Sequence, residues 1–221
     1  MRADRRAWLT SSERGTQLLV LVGSAAAYGF SVGCVHSLRY GLSNLLKFPL
    51  LLVVTASVCA VAYHLVASFA GARLRFGEVQ QLSFALFRDA SVMLASLSPV
   101  GLFLSLTIER PGALGLGEYP LFLGFNVALI AVCGTVALGR QARGLAQRAG
   151  LSRRRGAAVV AAWLALSLLV GSQGAWFLRP FFGVASIRAE ETPFFLGTRP
   201  DFRGATSFYE AVWQVVVPPA R

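Results

Sequence analysis

Hydrophobic and polar residues follow each other along this chain in long blocks. Successive charged residues bound five long apolar intervals, between positions 14 and 39, 47 and 73, 89 and 109, 118 and 140, and 155 and 179. About 20 apolar residues, at 1.5 Å of rise each, cross the hydrocarbon core of a bilayer. The pattern therefore predicts an all-α, polytopic transmembrane helical bundle with five spans.

The second and third intervals predict a transmembrane hairpin closed by a short basic turn. One arm follows Lys47 and runs to Phe69, and the other is the apolar run from Phe84 to Leu106, whose helix is expected to begin near Leu82. Arg73 and Arg75 lie between the two arms. The rest of the chain also alternates long apolar spans with short polar connections, so the sequence mainly predicts a membrane architecture.

The spans divide the chain into three predicted parts. Residues 1–16 form a basic leader, residues 17–179 the five-helix transmembrane domain, and residues 180–221 a tail. A cleaved signal peptide is the alternative for the first span, but its apolar run is longer than a usual signal core. We therefore interpret the first span as an anchor.

The tail contains a predicted helix start. Ser207 and Glu210 have the spacing of a capping box, and apolar residues then recur at helical spacing. This predicts a short amphipathic helix on the outer surface, which either packs back on the bundle or offers Phe208 and Trp213 to a partner protein.

Composition and charge place the chain in a membrane. Only 14% of the residues are charged, yet the net charge is +11. In a soluble protein this excess would suggest nucleic acid, but here the arginines lie between apolar spans, where they set orientation and contact lipid headgroups. Membrane lipids are the expected partners, and no nucleic acid is expected.

The distribution of basic residues predicts the orientation. Thirteen of the 21 Lys and Arg residues lie in the leader, the turn after the second span and the loop after the fourth. The two opposite short loops hold only Arg39, Lys47 and Arg110. The positive-inside rule then puts the N-terminus in the cytoplasm and the C-terminus outside, as five spans require.

The arginine-rich loop after the fourth span is the strongest candidate for contact with anionic lipid or a cytoplasmic partner. A run of basic residues beside a membrane span attracts anionic headgroups. The residues of this loop are Arg140, Arg143, Arg148, Arg153, Arg154 and Arg155.

Gly29 and Gly33 form a GxxxG motif in the first span. Small residues at this spacing let two helix backbones approach closely. The motif is common, and three interpretations stay open: packing within this bundle, a contact in a homo-oligomer, or coincidence.

The third span contains a predicted kink. Pro99 lacks a backbone N–H and interrupts the helical hydrogen bonds near the middle of the span. Ser96 and Ser98 are expected to satisfy the carbonyl groups that the kink leaves free.

Asp89 is the acidic residue most at risk of burial in the membrane. Its neighbour Arg88 is expected to point to a different face, so Arg73 or Arg75 is the predicted partner. Two interpretations remain: an ion pair at the cytoplasmic boundary, or a relay for protons or cations.

An uncharged polar layer is predicted toward the outer half of the bundle. Its members are Thr55, Ser98, Asn126 and Gln173. Hydrogen bonds between helices explain these residues without a substrate, and a solute pathway is the alternative.

Catalytic and metal-binding motifs are missing from the sequence. Cys34, Cys59 and Cys133 lie in separate spans, and His36 and His64 are separated by roughly 25 Å along the membrane normal. HExxH, GxSxG and GxxxxGK[ST] do not occur. We therefore expect no enzymatic activity and no cofactor.

Four segments of the chain carry a resemblance to known proteins: Lys47-Phe48-Pro49-Leu50-Leu51, Ser96-Leu97-Ser98-Pro99, residues 174–183, and Phe208-Tyr209-Glu210-Ala211-Val212. In these segments the chain resembles a poorly characterised group of bacterial five-span integral membrane proteins. More distantly, the span count and orientation are similar to those of the Yip1 group of membrane-trafficking proteins. These resemblances imply a shared architecture, a bacterial inner-membrane location and a scaffolding role, and they bring no catalytic residues.

From the spans, the charges and the absence of catalytic motifs in the sequence, we expect a membrane scaffold or accessory subunit. Its expected contacts are a membrane protein partner, a second copy of itself, or anionic lipid. A small-solute channel or permease, built around Pro99 and the polar layer, is the alternative.

Overall fold

The computed structural model describes residues 11–34, 37–107, 118–179, 181, 194 and 207–210. Within these ranges the long elements are helices, and no strand is present. The all-α prediction is therefore confirmed. The helices are α1 (Ser11–Gly33), α2 (Leu38–Phe69), α3 (Phe76–Ser96), α4 (Ser98–Thr107), α5 (Glu118–Ala149) and α6 (Arg153–Leu178).

The predicted basic turn connects α2 to α3. Helix α2 ends at Phe69, as expected, but α3 begins at Phe76 rather than near Leu82. The backbone N–H of Arg75 donates to Oε2 of Glu78 at 2.6 Å, which caps the helix start. The polar first turns of α3 form a helix that extends beyond the apolar interval, so the apolar pattern alone placed its start too late.

Helix α2 also begins earlier than predicted. Ser37 is its N-cap, with Oγ accepting from the N–H of Tyr40, and the helix continues through Pro49. Lys47 is therefore the tenth residue of α2 and not part of a loop. A single Lys within a helical segment was taken for the end of an apolar span, which made this boundary prediction wrong.

The helix break predicted at Pro99 is present at Leu97, between α3 and α4. Pro99 is the second residue of α4, a position where a missing N–H costs little. The hydroxyl of Ser96 donates to the carbonyl of Met93 at 2.7 Å. The two segments together cover the third apolar interval.

Four of the described helices are long and apolar enough to cross a membrane. They are Glu13–Gly33, Leu38–Phe69, Gly124–Ala142 and Arg153–Leu178. This supports a multi-pass membrane protein. The predicted third span is divided between α3 and α4, and neither segment alone is among the four.

Helix α2 is the centre of the bundle and packs against α1, α3 and α6. Its Tyr63 stacks on Trp163 of α6, while Leu51 lies close to Gly174 further along α6. The two helices are therefore antiparallel. We call the end where α1 ends, α2 begins and α6 ends the tail end, and the opposite end the arginine end.

Candidate functional site

Asp89 lies on α3 and joins this helix to α5. Its Oδ1 accepts from Nη2 of Arg88 at 2.5 Å and from Nε at 3.0 Å, while its Oδ2 accepts from Nε2 of Gln141 at 2.8 Å. Asp89 is 18% exposed and Arg88 30% exposed. Both carboxylate oxygens thus have partners, and one of these partners comes from another helix.

The partner of Asp89 differs from the predicted one. The guanidinium group of its neighbour Arg88 forms the ion pair, and not Arg73 or Arg75. Neighbouring residues point to different faces of a helix, but an arginine side chain is long enough to curve around to the next residue. The earlier start of α3 also places Asp89 about 20 Å from the first residue of its helix, at 1.5 Å per residue.

The predicted polar layer is not one cluster. Asn126 is buried on α5 and accepts a hydrogen bond from the hydroxyl of Tyr28 on α1 at 2.8 Å. Gln173 on α6 accepts from the backbone N–H of Phe208 at 3.2 Å. Thr55 is buried against α6 near Gly174. These residues tie different pairs of elements together.

Ser98, at the start of α4, departs from its expected role. Its side chain is buried, and its Oγ has no hydrogen-bond partner among the described residues. The prediction that Ser98 satisfies a carbonyl at the helix break is therefore wrong, whereas the nearby Ser96 makes such a bond. An unpaired hydroxyl in an apolar setting is energetically costly.

The tail packs along α6 where the structure describes it. The Oγ of Ser207 accepts from the N–H of Glu210 at 3.1 Å, so the predicted cap is confirmed. Phe208 makes an edge contact with Trp176, and the hydroxyl of Tyr209 donates to the carbonyl of Leu169. The remaining part of the predicted amphipathic helix, including Trp213, lies outside the described residues.

Arg179 directly follows α6 and is the C-cap of that helix. Its guanidinium carbon lies 3.5 Å from the centroid of the Trp176 ring. Partial burial lowers the pKa of Arg179 from its usual value, because an apolar setting disfavours the charged form. A cation–π contact of this kind stabilises the end of the helix.

Lys47 and Asn44 were not among the residues predicted for a site. Lys47 is 1% exposed and Asn44 is fully buried. The amide Nδ2 of Asn44 donates to the carbonyl of Phe181 at 2.7 Å, and the ammonium group of Lys47 lies 4.6 Å from the ring centroid of Phe194. The signal in the sequence was their spacing of three residues, which puts both on one face of a helix.

Gly29 and Gly33 lie where α1 crosses α2. A Cβ at Gly29 would meet the carbonyl oxygen of Asn44 at 2.6 Å, and a Cβ at Gly33 would meet that of Tyr40 at 2.6 Å. The motif therefore permits a close contact within this bundle, the first of the three interpretations left open by the sequence.

Exposed arginines gather at the arginine end. The turn between α2 and α3 and the region joining α5 to α6 meet there, because α2 and α6 are antiparallel. Arg143 and Arg148 lie within α5, but their side chains are outside the described part of the chain. Arg140 is also exposed, but it lies inside α5, nine positions before the end of that helix at Ala149, so the predicted arginine-rich loop is helical there. The exposed residues at the arginine end are Arg73, Arg75, Arg153, Arg154 and Arg155.

The described residues contain no group of three His, Cys, Asp or Glu side chains arranged to hold a metal ion. Comparison with known proteins adds no identity, since no family model, curated protein or solved structure matches this chain. The geometry of the bundle therefore carries the functional argument.

Proposed function

We propose that this chain is a five-span scaffold or accessory subunit of the bacterial inner membrane, without catalytic activity. The N-terminus is cytoplasmic and the C-terminus extracytoplasmic. Membership of the bacterial five-span group that the sequence resembles is part of this proposal. The observation that carries it is the concentration of exposed arginines at one end of a bundle of apolar helices.

The fifth crossing in this proposal is formed by α3 and α4 together. The two segments run from Phe76 to Thr107 with a break at Leu97, a length that exceeds what one crossing needs. A helix interrupted by proline is tolerated in a membrane when neighbouring groups satisfy its backbone, as Ser96 does here.

The arginine end supplies the contact with anionic lipid or a cytoplasmic partner. Juxtamembrane arginines gain about 1 kcal/mol each from the negative potential of an anionic leaflet. Arg153, Arg154 and Arg155 are exposed at the first turn of α6, and Arg73 and Arg75 are exposed at the same end. This arrangement also supports the cytoplasmic placement of that end.

Charge reversal tests this assignment. The variant carrying Arg153→Glu, Arg154→Glu and Arg155→Glu is expected to lose retained anionic lipid in native mass spectrometry or to invert its topology in cysteine-labelling assays. Arg39→Glu is the control, because Arg39 is exposed at the tail end. Unchanged lipid retention together with unchanged topology would contradict the proposal.

The scaffold role has its own test. Native mass analysis of the protein, extracted gently from its own membrane, is expected to show a stoichiometric protein partner. A lone monomer or a homo-oligomer would count against scaffolding and favour the alternative below.

A small-solute channel or permease is the second candidate. The buried Ser98 hydroxyl beside the helix break has no hydrogen-bond partner among the described residues, and this favours the candidate, because transporters often place binding sites at interrupted helices. Solute flux into liposomes that is abolished by Asp89→Asn or Asn126→Leu would support this candidate. Solute flux equal to that of protein-free liposomes would contradict the channel or permease function.

A further inference from the structure

Asn44 and Lys47 bring two strongly polar groups into the buried side of α2 near the tail end. Both side chains are almost completely buried, and they lie three positions apart on one helix face. Burying an ammonium group or an amide in an apolar setting is costly, and such residues in membrane helices often mark a binding site.

One atom of this pair is left without a partner. Asn44 uses its Nδ2 to bind the Phe181 carbonyl, but its Oδ1 has no hydrogen-bond partner among the described residues. The side chain is fully buried, so bulk water does not compensate. A group that donates an N–H or O–H hydrogen bond would satisfy this oxygen.

The level of the pair along α2 matches the edge of a bilayer. The segment from Lys47 to Phe69 extends about 33 Å, from 22 helical steps of 1.5 Å, close to the roughly 30 Å of a hydrocarbon core. Phe69 is 90% exposed beside the basic turn. When that turn lies at one headgroup layer, Lys47 lies at the other.

We propose that Asn44 and Lys47 form a binding site for a phospholipid headgroup that carries a hydrogen-bond donor next to its phosphate. The phosphate accepts from the Lys47 ammonium group and takes the place of the Phe194 ring. The terminal ammonium or hydroxyl group of the lipid donates to Oδ1 of Asn44. This site is separate from the arginine end and does not depend on a role in scaffolding.

Two described residues of the tail contact the pair. Phe181 and Phe194 contact Asn44 and Lys47 respectively, while Phe208 and Tyr209 hold a later part of the tail against α6. The aromatic ring of Phe194 competes with the lipid phosphate for the same ammonium group. Removing this ring should therefore favour the lipid.

Two zwitterionic lipids separate the roles of the two residues. Phosphatidylethanolamine and phosphatidylcholine share a phosphate, but the trimethylammonium group of phosphatidylcholine has no N–H to donate. The full-length protein, purified and equilibrated in mixed micelles of the two lipids, is expected to retain phosphatidylethanolamine roughly fivefold better, the size of one hydrogen bond. Native mass spectrometry measures the retained lipids.

The proposal predicts a different change in lipid retention for each variant. Asn44→Leu should retain the two lipids equally, Lys47→Met should lose both, and Phe194→Ala should retain more of both. Lys47→Arg should restore retention, and Arg39→Met is the matched control because that exposed cation is on the first turn of the same helix. Thermal unfolding of each variant in micelles verifies that it is folded.

Two outcomes would overturn the proposal. One is equal retention of the two lipids by the unmodified protein, and the other is unchanged retention in folded Lys47→Met. If Asn44→Leu fails to fold, the pair Lys47→Met and Phe194→Ala still tests the site, because the proposal requires opposite changes in lipid retention. Loss of lipid in the Arg153–Arg155 variant alone would concern the arginine end and not this site.

Discussion

Tyr63 of α2 stacks on Trp163 of α6, with ring centroids 4.4 Å apart and an interplanar angle of 11°. The indole N–H of Trp163 donates to the backbone carbonyl of Tyr63 at 3.2 Å, and the Tyr63 hydroxyl is hydrogen-bonded to Ser167. Both aromatic side chains are buried. This pair therefore combines packing and hydrogen bonds at one point between the two helices.

Trp163→Leu is expected to destabilise the bundle by about 1–3 kcal/mol, because it removes the stacked ring and the N–H donor together. Unfolding in mixed micelles with increasing SDS measures the change. Ser167→Ala is the milder companion variant, since it keeps the stacked rings and removes the hydroxyl that is hydrogen-bonded to Tyr63 and that donates to the carbonyl of Trp163 on its own helix. A hydrogen bond between helices contributes about 0.6 kcal/mol in a membrane. Equal effects of the two variants would show that the stack contributes little.

The α1–α2 crossing leads to a second prediction. Gly29→Ala and Gly33→Ala each place a Cβ about 2.6 Å from a backbone carbonyl oxygen of α2, so the helices must move apart. We expect each to lower stability by about 1–3 kcal/mol in the same unfolding assay. Gly23→Ala is the matched control on the same helix, because no atom lies within 4 Å of the added methyl group.

The control should be neutral or slightly stabilising, since Ala is a better helix former than Gly. If all three substitutions behave alike, the close crossing of α1 and α2 is not what the two glycines provide. A change in oligomeric state without loss of monomer stability would instead favour the homo-oligomer interpretation of the motif.

The Asp89 site provides a third prediction. Asp89→Asn removes the charge pair with Arg88 but keeps an oxygen that can accept from Gln141, so stability should fall by less than about 1 kcal/mol. Asp89→Leu removes both interactions and should cost more. A double-mutant cycle of Asp89→Leu with Gln141→Leu is expected to show coupling between α3 and α5. Additive effects in that cycle would mean that the Asp89–Gln141 hydrogen bond contributes nothing.

The sequence predicted the broad architecture because long apolar blocks and Pro99 act locally. The turn containing Arg73 and Arg75, the break beside Pro99 and the cap at Ser207 each depend on a few neighbouring residues, and each is present. The fifth crossing remains a prediction, as the third apolar interval is shared between two helices.

The side-chain partners were not predictable in the same way. Asp89 pairs with Arg88 and reaches Gln141 on a helix 52 positions away in sequence, and Asn126 binds Tyr28 at a separation of 98. Such contacts depend on how the helices rotate about their axes, which apolar length does not determine. Lys47 was misplaced for a related reason, because a charge was assumed to end a span although the helix continues past it.

The break between α3 and α4 allows a last prediction, which separates a local cause from a tertiary one. Pro99 cannot donate a backbone hydrogen bond to Ala95, whereas an alanine at this position supplies the missing N–H. If the proline causes the break, Pro99→Ala should allow α3 and α4 to become one straighter helix. Spin labels at the exposed positions Val92 and Phe103 report this change.

A straight helix places the backbones of these two positions about 16 Å apart, from 11 residues at 1.5 Å each. The distance in Pro99→Ala should therefore shift toward this value relative to the protein with Pro99. An unchanged distance would mean that the packing of α4 against α1 maintains the break. In that case the hydroxyl of Ser98, which has no partner among the described residues, would be held in place by the bundle and not by the proline beside it.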